Sequence, residues 1–208
     1  MGPPGSGKGT QALHVAKLVG VHLVSSGDLF RENLSSETEL GLIAKEFMEK
    51  GDYVPDDITI GMVMSWITEP GHSKGFVLDG FPRTIGQAKA LVQQLGNSHD
   101  VDHVIFFDVP DELIINRLSG RLLCTDCQTP FHRFFYPPIQ EGFCDLCSGN
   151  LYQRSDDKPE VVENRLRIYK EETGPVVEYF SNLGNFHEVD ASKSIDEVRC
   201  AIAHLLGR

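Results

Sequence analysis

An α/β fold, a parallel sheet covered by helices on both faces, is what this sequence predicts, and three observations carry the prediction. Short β-rich runs recur between turn residues at Val21–Val24, Gly75–Asp79, His103–Val109 and Asn185–Val189. Their nearly continuous apolar character fits strands covered on both sides rather than one. Between them stand helical patterns whose starts have capping-box spacing: Ser36-x-x-Glu39, Thr84-x-x-Gln87 and Ser194-x-x-Glu197. Alternation of strand and helix implies parallel crossovers, and 208 residues supply one such core with room for small insertions.

The chain opens on Gly2-Pro3-Pro4-Gly5-Ser6-Gly7-Lys8-Gly9-Thr10, followed by a helical pattern from Lys8 to about Leu18. Gly2-x-x-x-x-Gly7-Lys8 matches the P-loop up to its lysine. Glycines let successive backbone N–H groups turn toward phosphate oxygens, and the lysine reaches the terminal phosphates. The following helix aims its positive end at the same anion. Here Gly9 follows the lysine, and the hydroxyl comes one place later, at Thr10. A loop of this kind follows a strand, yet only Met1 precedes Gly2, so the strand leading into it is expected to be missing.

Two segments depart from the alternating rhythm. From about Ser25 to Val54, two short helical patterns, Leu29–Leu34 and Thr38–Lys50, read as a mobile helical flap. From about Gly120 to Asp157 the chain is rich in Cys, Pro and aromatics and reads as a small inserted module. Within it, Cys124-x-x-Cys127 and Cys144-x-x-Cys147 are sixteen residues apart, the spacing of two knuckles around one tetrahedral zinc. Zinc ribbons also read nucleic acid, but Thr129–Phe143 holds one Arg, one His and no Lys, and so lacks a cationic stripe. The fifth cysteine, Cys200, lies inside an apolar helical pattern and is expected to be buried and inert.

Thirty acidic residues against nineteen basic give a net charge of −11, which opposes binding to nucleic acid or an anionic membrane. No apolar run approaches the ~20 residues needed to span a bilayer, and no signal segment is visible, so a soluble cytoplasmic protein is expected. Any polyphosphate site must be built locally.

The sequence resembles the adenylate kinase family in its zinc-lid, long form. The resemblance is carried by the variant loop ending Gly7-Lys8-Gly9-Thr10, by Ser25-Ser26-Gly27-Asp28-Leu29-Phe30-Arg31, by Asp79-Gly80-Phe81-Pro82-Arg83-Thr84-x-x-Gln87 and by the cysteine module, and it covers essentially the whole chain. It implies a P-loop NTPase-like core (1–24, 55–119, 158–208), an AMP-binding region (25–54) and a zinc lid (120–157). The activity implied is ATP + AMP = 2 ADP by in-line transfer, with Mg2+ on ATP and structural Zn2+ on Cys124, Cys127, Cys144 and Cys147. Gly5, Ser6, Gly7, Lys8, Gly9 and Thr10 would hold ATP together with Arg121, Pro130, Phe131 and Lys193, the last mainly through its backbone. Ser26, Arg31, Asp52, Tyr53, Val54, Gly80, Phe81 and Pro82 would line the AMP site. There Arg83 meets the α-phosphate, Gln87 the adenine edge, and Asp79 the water around magnesium. Arg117, Arg121, Arg154 and Arg165 would complete the phosphate clamp, the last two also reaching AMP.

No nucleophile or general base is required, so none of the eight histidines is assigned a role. The resemblance further implies a monomer, and a first strand lying centrally between those ending at Asp79 and Asp108. Without that strand, ladder groups on both neighbours are expected to be unpaired. Two other readings stay open on the sequence: a relative using GTP or another monophosphate, and a zinc-containing nucleotide- or nucleic-acid-associated protein without turnover.

Overall fold

A computed structural model describes residues 1–72, 74–96, 101–182 and 184–208. Two parallel ribbons form its centre. Strand β1 (His22–Ser25) pairs with β2 (Phe76–Asp79), and β3 (Val104–Asp108) pairs with a late strand, Phe186–Asp190. Among the described residues β2 and β3 do not pair with each other. Met1 stands at β3's free edge: its amino group donates to the Ile105 carbonyl, and its own carbonyl accepts from the Phe107 N–H at 2.9 Å. That is the bonding pattern of a parallel strand facing Phe106. The expected interruption of the ladder is therefore present, bridged on one side by a single residue.

Helices cover both faces of β3. On one face Phe107 packs with Val15 of α1 (Lys8–Val19), Ile114 and Leu118 of α6 (Asp111–Ser119), and Val162 and Leu166 of α7 (Pro159–Ile168). Val198 and Ile202 of α9 (Ile195–Leu205) join the same cluster. On the other face Val104 meets Ala88 of α5 (Ile85–Leu95) and Val176 and Phe180 of α8 (Gly174–Ser181). Each large side chain buried this way contributes ~1.5–3 kcal/mol, which is why the strand reads as a continuous apolar run.

Helices α2 (Ser26–Ser35) and α3 (Glu39–Lys50) clasp Phe30, Ala44 and Val54, closed beneath by Ile58 and Met62 of α4 (Asp56–Ile67). The later module is an antiparallel sheet in which β4 (Arg121–Cys124) is flanked by β5 (Pro130–His132) and β6 (Leu151–Tyr152), and the late strand Phe186–Asp190 is β7. Among the described residues no helix is long and apolar enough to cross a membrane.

Three local expectations are corrected. Ser36 does not begin α3. Thr38 does, accepting from the Gly41 N–H at 3.0 Å, because its hydroxyl is held by Asn33, while Ser36 closes α2. At Thr84 the hydroxyl caps the Gln87 N–H, but the Gln87 side chain turns to Arg83 and Asp56, leaving half a capping box; Ser194 and Glu197 form a complete one. Cys200 is exposed rather than buried, since Val198 and Ile202 define the inward face of α9 and position 200 falls between them on the outer side.

Candidate functional site

The loop Gly2–Gly7 runs from the β3 edge into α1. Gly5 has φ +79°, and a Cβ there would lie 2.8 Å from Leu118 Cγ, so the turn needs both a left-handed backbone and no side chain. Gly7, at φ +89°, directly precedes α1 and leaves its first amides facing outward. Lys8 Nζ folds back over the loop to the Pro3 carbonyl at 2.9 Å. Among the described residues the Ser6 Oγ is buried without a partner, as is Asp79 Oδ1 at the C-terminal end of β2. A Cβ on Gly9 would lie 3.1 Å from Asp79 Oδ2, so the helix start and the carboxylate are in close apposition.

Burial lowers the Lys8 pKa to about 8; Asp79 opposes the shift, and Arg83, Arg165 and Arg121 add to it. A bound polyphosphate favours the charged amine, so binding near pH 8 should take up protons, and affinity should fall as pH rises through that value. Calorimetric titration with ATP in buffers of different ionisation enthalpy measures the uptake. Buffer-independent heats at pH 8 would contradict it.

Facing the loop is a cluster of arginines organised by two carboxylates. Asp157, fully buried, accepts from Arg121 Nε at 2.7 Å and Nη2 at 2.5 Å, and from Arg165 Nη1 at 3.3 Å. Arg165 also pairs with Asp156 at 3.0 Å. Burial would raise the Asp156 pKa, but Arg165, Arg121, Arg154 and Arg31 outweigh it and bring the pKa below the usual value. Arg154 Nε is buried with no hydrogen-bond partner among the described residues, and burial, aided by Arg121 and Arg31, lowers its pKa to about 10. Asp156 and Asp157 offset that shift only in part, so a further anion beside this guanidinium would be favoured.

The remaining predicted residues fall around the same space. Arg83 Nε donates to the Gly80 carbonyl at 2.7 Å, and its guanidinium lies 5.1 Å from the Tyr53 ring centroid. Ser26 Oγ donates to the same carbonyl at 2.7 Å. The Tyr53 and Thr173 hydroxyls are 2.9 Å apart, and Thr173 in turn donates to the Arg83 carbonyl. Asp52 accepts from Asn164 Nδ2 at 2.8 Å, Val54 sits in the flap core, and Arg31 is paired with Asp28. Arg117 Nη2 reaches the Ser192 carbonyl at 3.5 Å, and Lys193 lies 3.9 Å from Asp190. Phe81 and Gln87 are buried, and Pro82 follows a cis peptide bond.

Loop, arginine cluster and flap line one cavity of about 2120 Å³, part of which runs between β2 and β3. In a chain of net charge −11, Lys8, Arg31, Arg83, Arg117, Arg121, Arg154 and Arg165 all face this space. The positive charge is thus concentrated locally, around one cavity.

In the cysteine module the four Sγ atoms lie within 4.8 Å of one another, a group that could hold a metal ion. Cys124 and Cys147 are 3.4 Å apart, and Cys127 and Cys144 3.5 Å. The N–H groups of Asp126 and Leu146 point at Cys124 Sγ and Cys144 Sγ, each at 3.4 Å, and would steady the negative charge of metal-bound sulfur. Phe131 is buried against Cys124 and Cys144, while Pro130 is exposed on the cavity wall. His132 ties the module to α6: Nδ1 accepts from the Phe134 and Phe135 N–H groups, so Nε2 carries the proton toward the Asn116 carbonyl at 3.1 Å.

Sequence reasoning passed over Asp156, Asp157, Thr173, Asn164 and Asp56. The one available signal was the pair Asp156-Asp157 placed one residue beyond Arg154, after Ser155; nothing in spacing reveals that a carboxylate is shared by arginines on opposite sides of it.

A glycine-rich loop at the C-terminal end of parallel strands, facing an arginine cluster across one cavity, defines a P-loop protein built to hold phosphates. The family model described as adenylate kinase matches residues 1–185. The adenylate kinase of Carboxydothermus hydrogenoformans is 49% identical over 207 residues, covering 99% of this chain and 97% of the relative. Those of Lachnospira eligens and Methanosarcina barkeri are each 47% identical, over 100% and 95% of this chain and 98% and 92% of the relative. The chain belongs to the adenylate kinase family.

Proposed function

We propose that the chain catalyses reversible transfer of the ATP γ-phosphoryl group to AMP, giving two ADP by direct in-line attack, and so balances adenine nucleotides. The observation that carries this reading is the single cavity joining the phosphate loop to the arginine cluster. Phosphoryl transfer offers little covalent work; positioning and charge do the catalysis. Lys8, Arg83, Arg117, Arg121, Arg154 and Arg165 supply that charge. Gly5 to Thr10 seat the donor phosphates, with Pro130, Phe131 and Lys193 bordering its base. Ser26, Arg31, Asp52 to Val54 and Gly80 to Arg83 surround the acceptor, whose base faces Gln87. Mg2+ would accompany ATP and neutralise its phosphates, and Asp79, with a buried oxygen lacking a partner, is suited to hold its water. An assay coupled to ADP formation tests the reading; a folded sample without ATP- and AMP-dependent turnover would end it.

In this reading residues 25–54 and 120–157 close as flap and lid over the core (1–24, 55–119, 158–208), expelling water that would otherwise hydrolyse ATP. The enzyme is a cytoplasmic monomer, and the net charge of −11 supports the absence of nucleic acid and membrane among its partners. The lid metal is Zn2+, structural, with all four positions filled by cysteine. Sulfur pairs 3.4 and 3.5 Å apart, with all four within 4.8 Å of one another, are gathered closely enough for one ion to be held by all of them. Elemental analysis should find about one zinc per chain, and its removal by chelator should lower the unfolding temperature, because so small a module has little core of its own. Four titratable thiols in a metal-free protein of unchanged stability would refute the assignment.

A further inference from the structure

We propose that Asp56 is a positioning residue that sets acceptor specificity by locking the orientation of the Gln87 side-chain amide. The proposal rests on the reading that Gln87 faces the acceptor base. A glutamine amide is by itself ambivalent: one face of it reads a 6-aminopurine, and the same amide turned by 180° reads a 6-oxopurine. Selectivity therefore depends on what prevents the turn.

Two groups do so here. The Arg83 N–H donates to Gln87 Oε1 at 2.8 Å, and Gln87 Nε2 donates to Asp56 Oδ1 at 2.7 Å. In the flipped amide, Nε2 would confront the Arg83 N–H, donor against donor, and Oε1 would confront a carboxylate. Asp56 is itself fixed, since its Oδ2 accepts from the Thr84 hydroxyl at 2.7 Å. Gly86 makes the room: a Cβ there would lie 2.6 Å from Asp56 Oδ2. The start of α4 is thus tied to the start of α5 through the one amide that reads the base. With these bonds made, Gln87 retains one lone pair on Oε1 and one N–H on Nε2. That pair matches a 6-amino donor beside the ring N1 acceptor and opposes a 6-oxo acceptor beside N1–H.

The test compares kcat/KM for AMP and for IMP, with KM for ATP as control. Asp56→Ala should narrow the AMP-to-IMP preference by about tenfold, the order one hydrogen bond commands, with KM for ATP within about twofold of the parent. Gly86→Ala, favoured by helix propensity and therefore foldable, should do the same by displacing the carboxylate. Asp56→Asn, whose carbonyl still accepts from Gln87 and whose amide can donate to Thr84, should keep most of the preference. A preference unchanged in both Asp56→Ala and Gly86→Ala, or a KM for ATP rising in step with that for AMP, overturns the proposal. Gln87→Ala separates the two levels: loss of the preference upholds the reading beneath, whereas an unchanged preference overturns both.

Discussion

Replacing Lys8 with methionine should lower kcat about a thousandfold or more while leaving the protein folded. The amine sits over the loop, half-buried, with Arg83, Arg121 and Arg165 close enough to depress its pKa to about 8 after burial has done most of the work. On the proposed reading such an amine is under-neutralised until a phosphate arrives, and its interaction would strengthen as charge builds on the transferring group. Removing one donor of this kind typically costs ~10²–10³ in rate, and a single guanidinium on a transferring phosphoryl ~10³–10⁵. The stability side has the opposite sign. A lysine whose folded pKa lies below its unfolded value of 10.5 destabilises the native state at neutral pH, an effect that fades as pH rises from about 8 toward 10.5. Methionine abolishes that penalty, so the unfolding temperature at pH 7 should be equal or higher. Initial rates and a thermal melt on one sample decide it, and a variant retaining a tenth of parent kcat would refute the role.

Asp157→Ala should be the most destabilising single change in the arginine cluster, costing about 3–5 kcal/mol, because it deletes one member of a buried ionic network and leaves the others uncompensated. The carboxylate is fully buried and holds Arg121 by two hydrogen bonds and Arg165 by one, with Arg154 nearby. Without it, Asp156 alone remains against the converging guanidiniums, and the positions of Arg121 and Arg165 are no longer fixed relative to each other. At ~2–4 °C per kcal/mol for a chain of this size, the unfolding temperature should drop by roughly 6–20 °C. ATP should recover part of the loss, its phosphates standing in for the missing charge. Denaturant unfolding with and without ATP measures both effects. A loss below about 1 kcal/mol would mean that water, not Asp157, neutralises these arginines.

How much of this was legible beforehand differs by kind of feature. The four main strands, the helix after the loop and the two departures from the core rhythm were readable, because burial on two faces and helical period leave direct traces in residue type. The loop and the two CxxC pairs were readable because their chemistry confines glycine and cysteine to fixed spacing. Cys200 was misread: one apolar residue in an apolar pattern does not say which side of the helix it faces, and only Val198 and Ile202 packing inward settles that. Ser36 was misread because its spacing to Glu39 imitates a capping box, while Asn33 commits Thr38 to that task instead. The partners that organise the cluster, Asp157 for Arg121 and Arg165 and Thr173 for Tyr53 and Arg83, act over long sequence separation and leave no periodic mark.

Met1's two bonds to β3 have a further consequence, for the way the molecule breathes. β3 and β7 share a backbone ladder and lie in the main apolar cluster, whereas among the described residues β1 and β2 are joined to that unit through side-chain packing under α1 and not by amide bonds to β3. Packing of that kind yields locally, whereas a continuous ladder of hydrogen bonds opens together. The β1–β2 ribbon, with the Asp79–Gly80 end that lines the cavity, meets the β3–β7 ribbon through this packing. A molecule bridging the cavity from that end to the loop beside β3 would tie the two ribbons together across the cavity as α1 does beneath it.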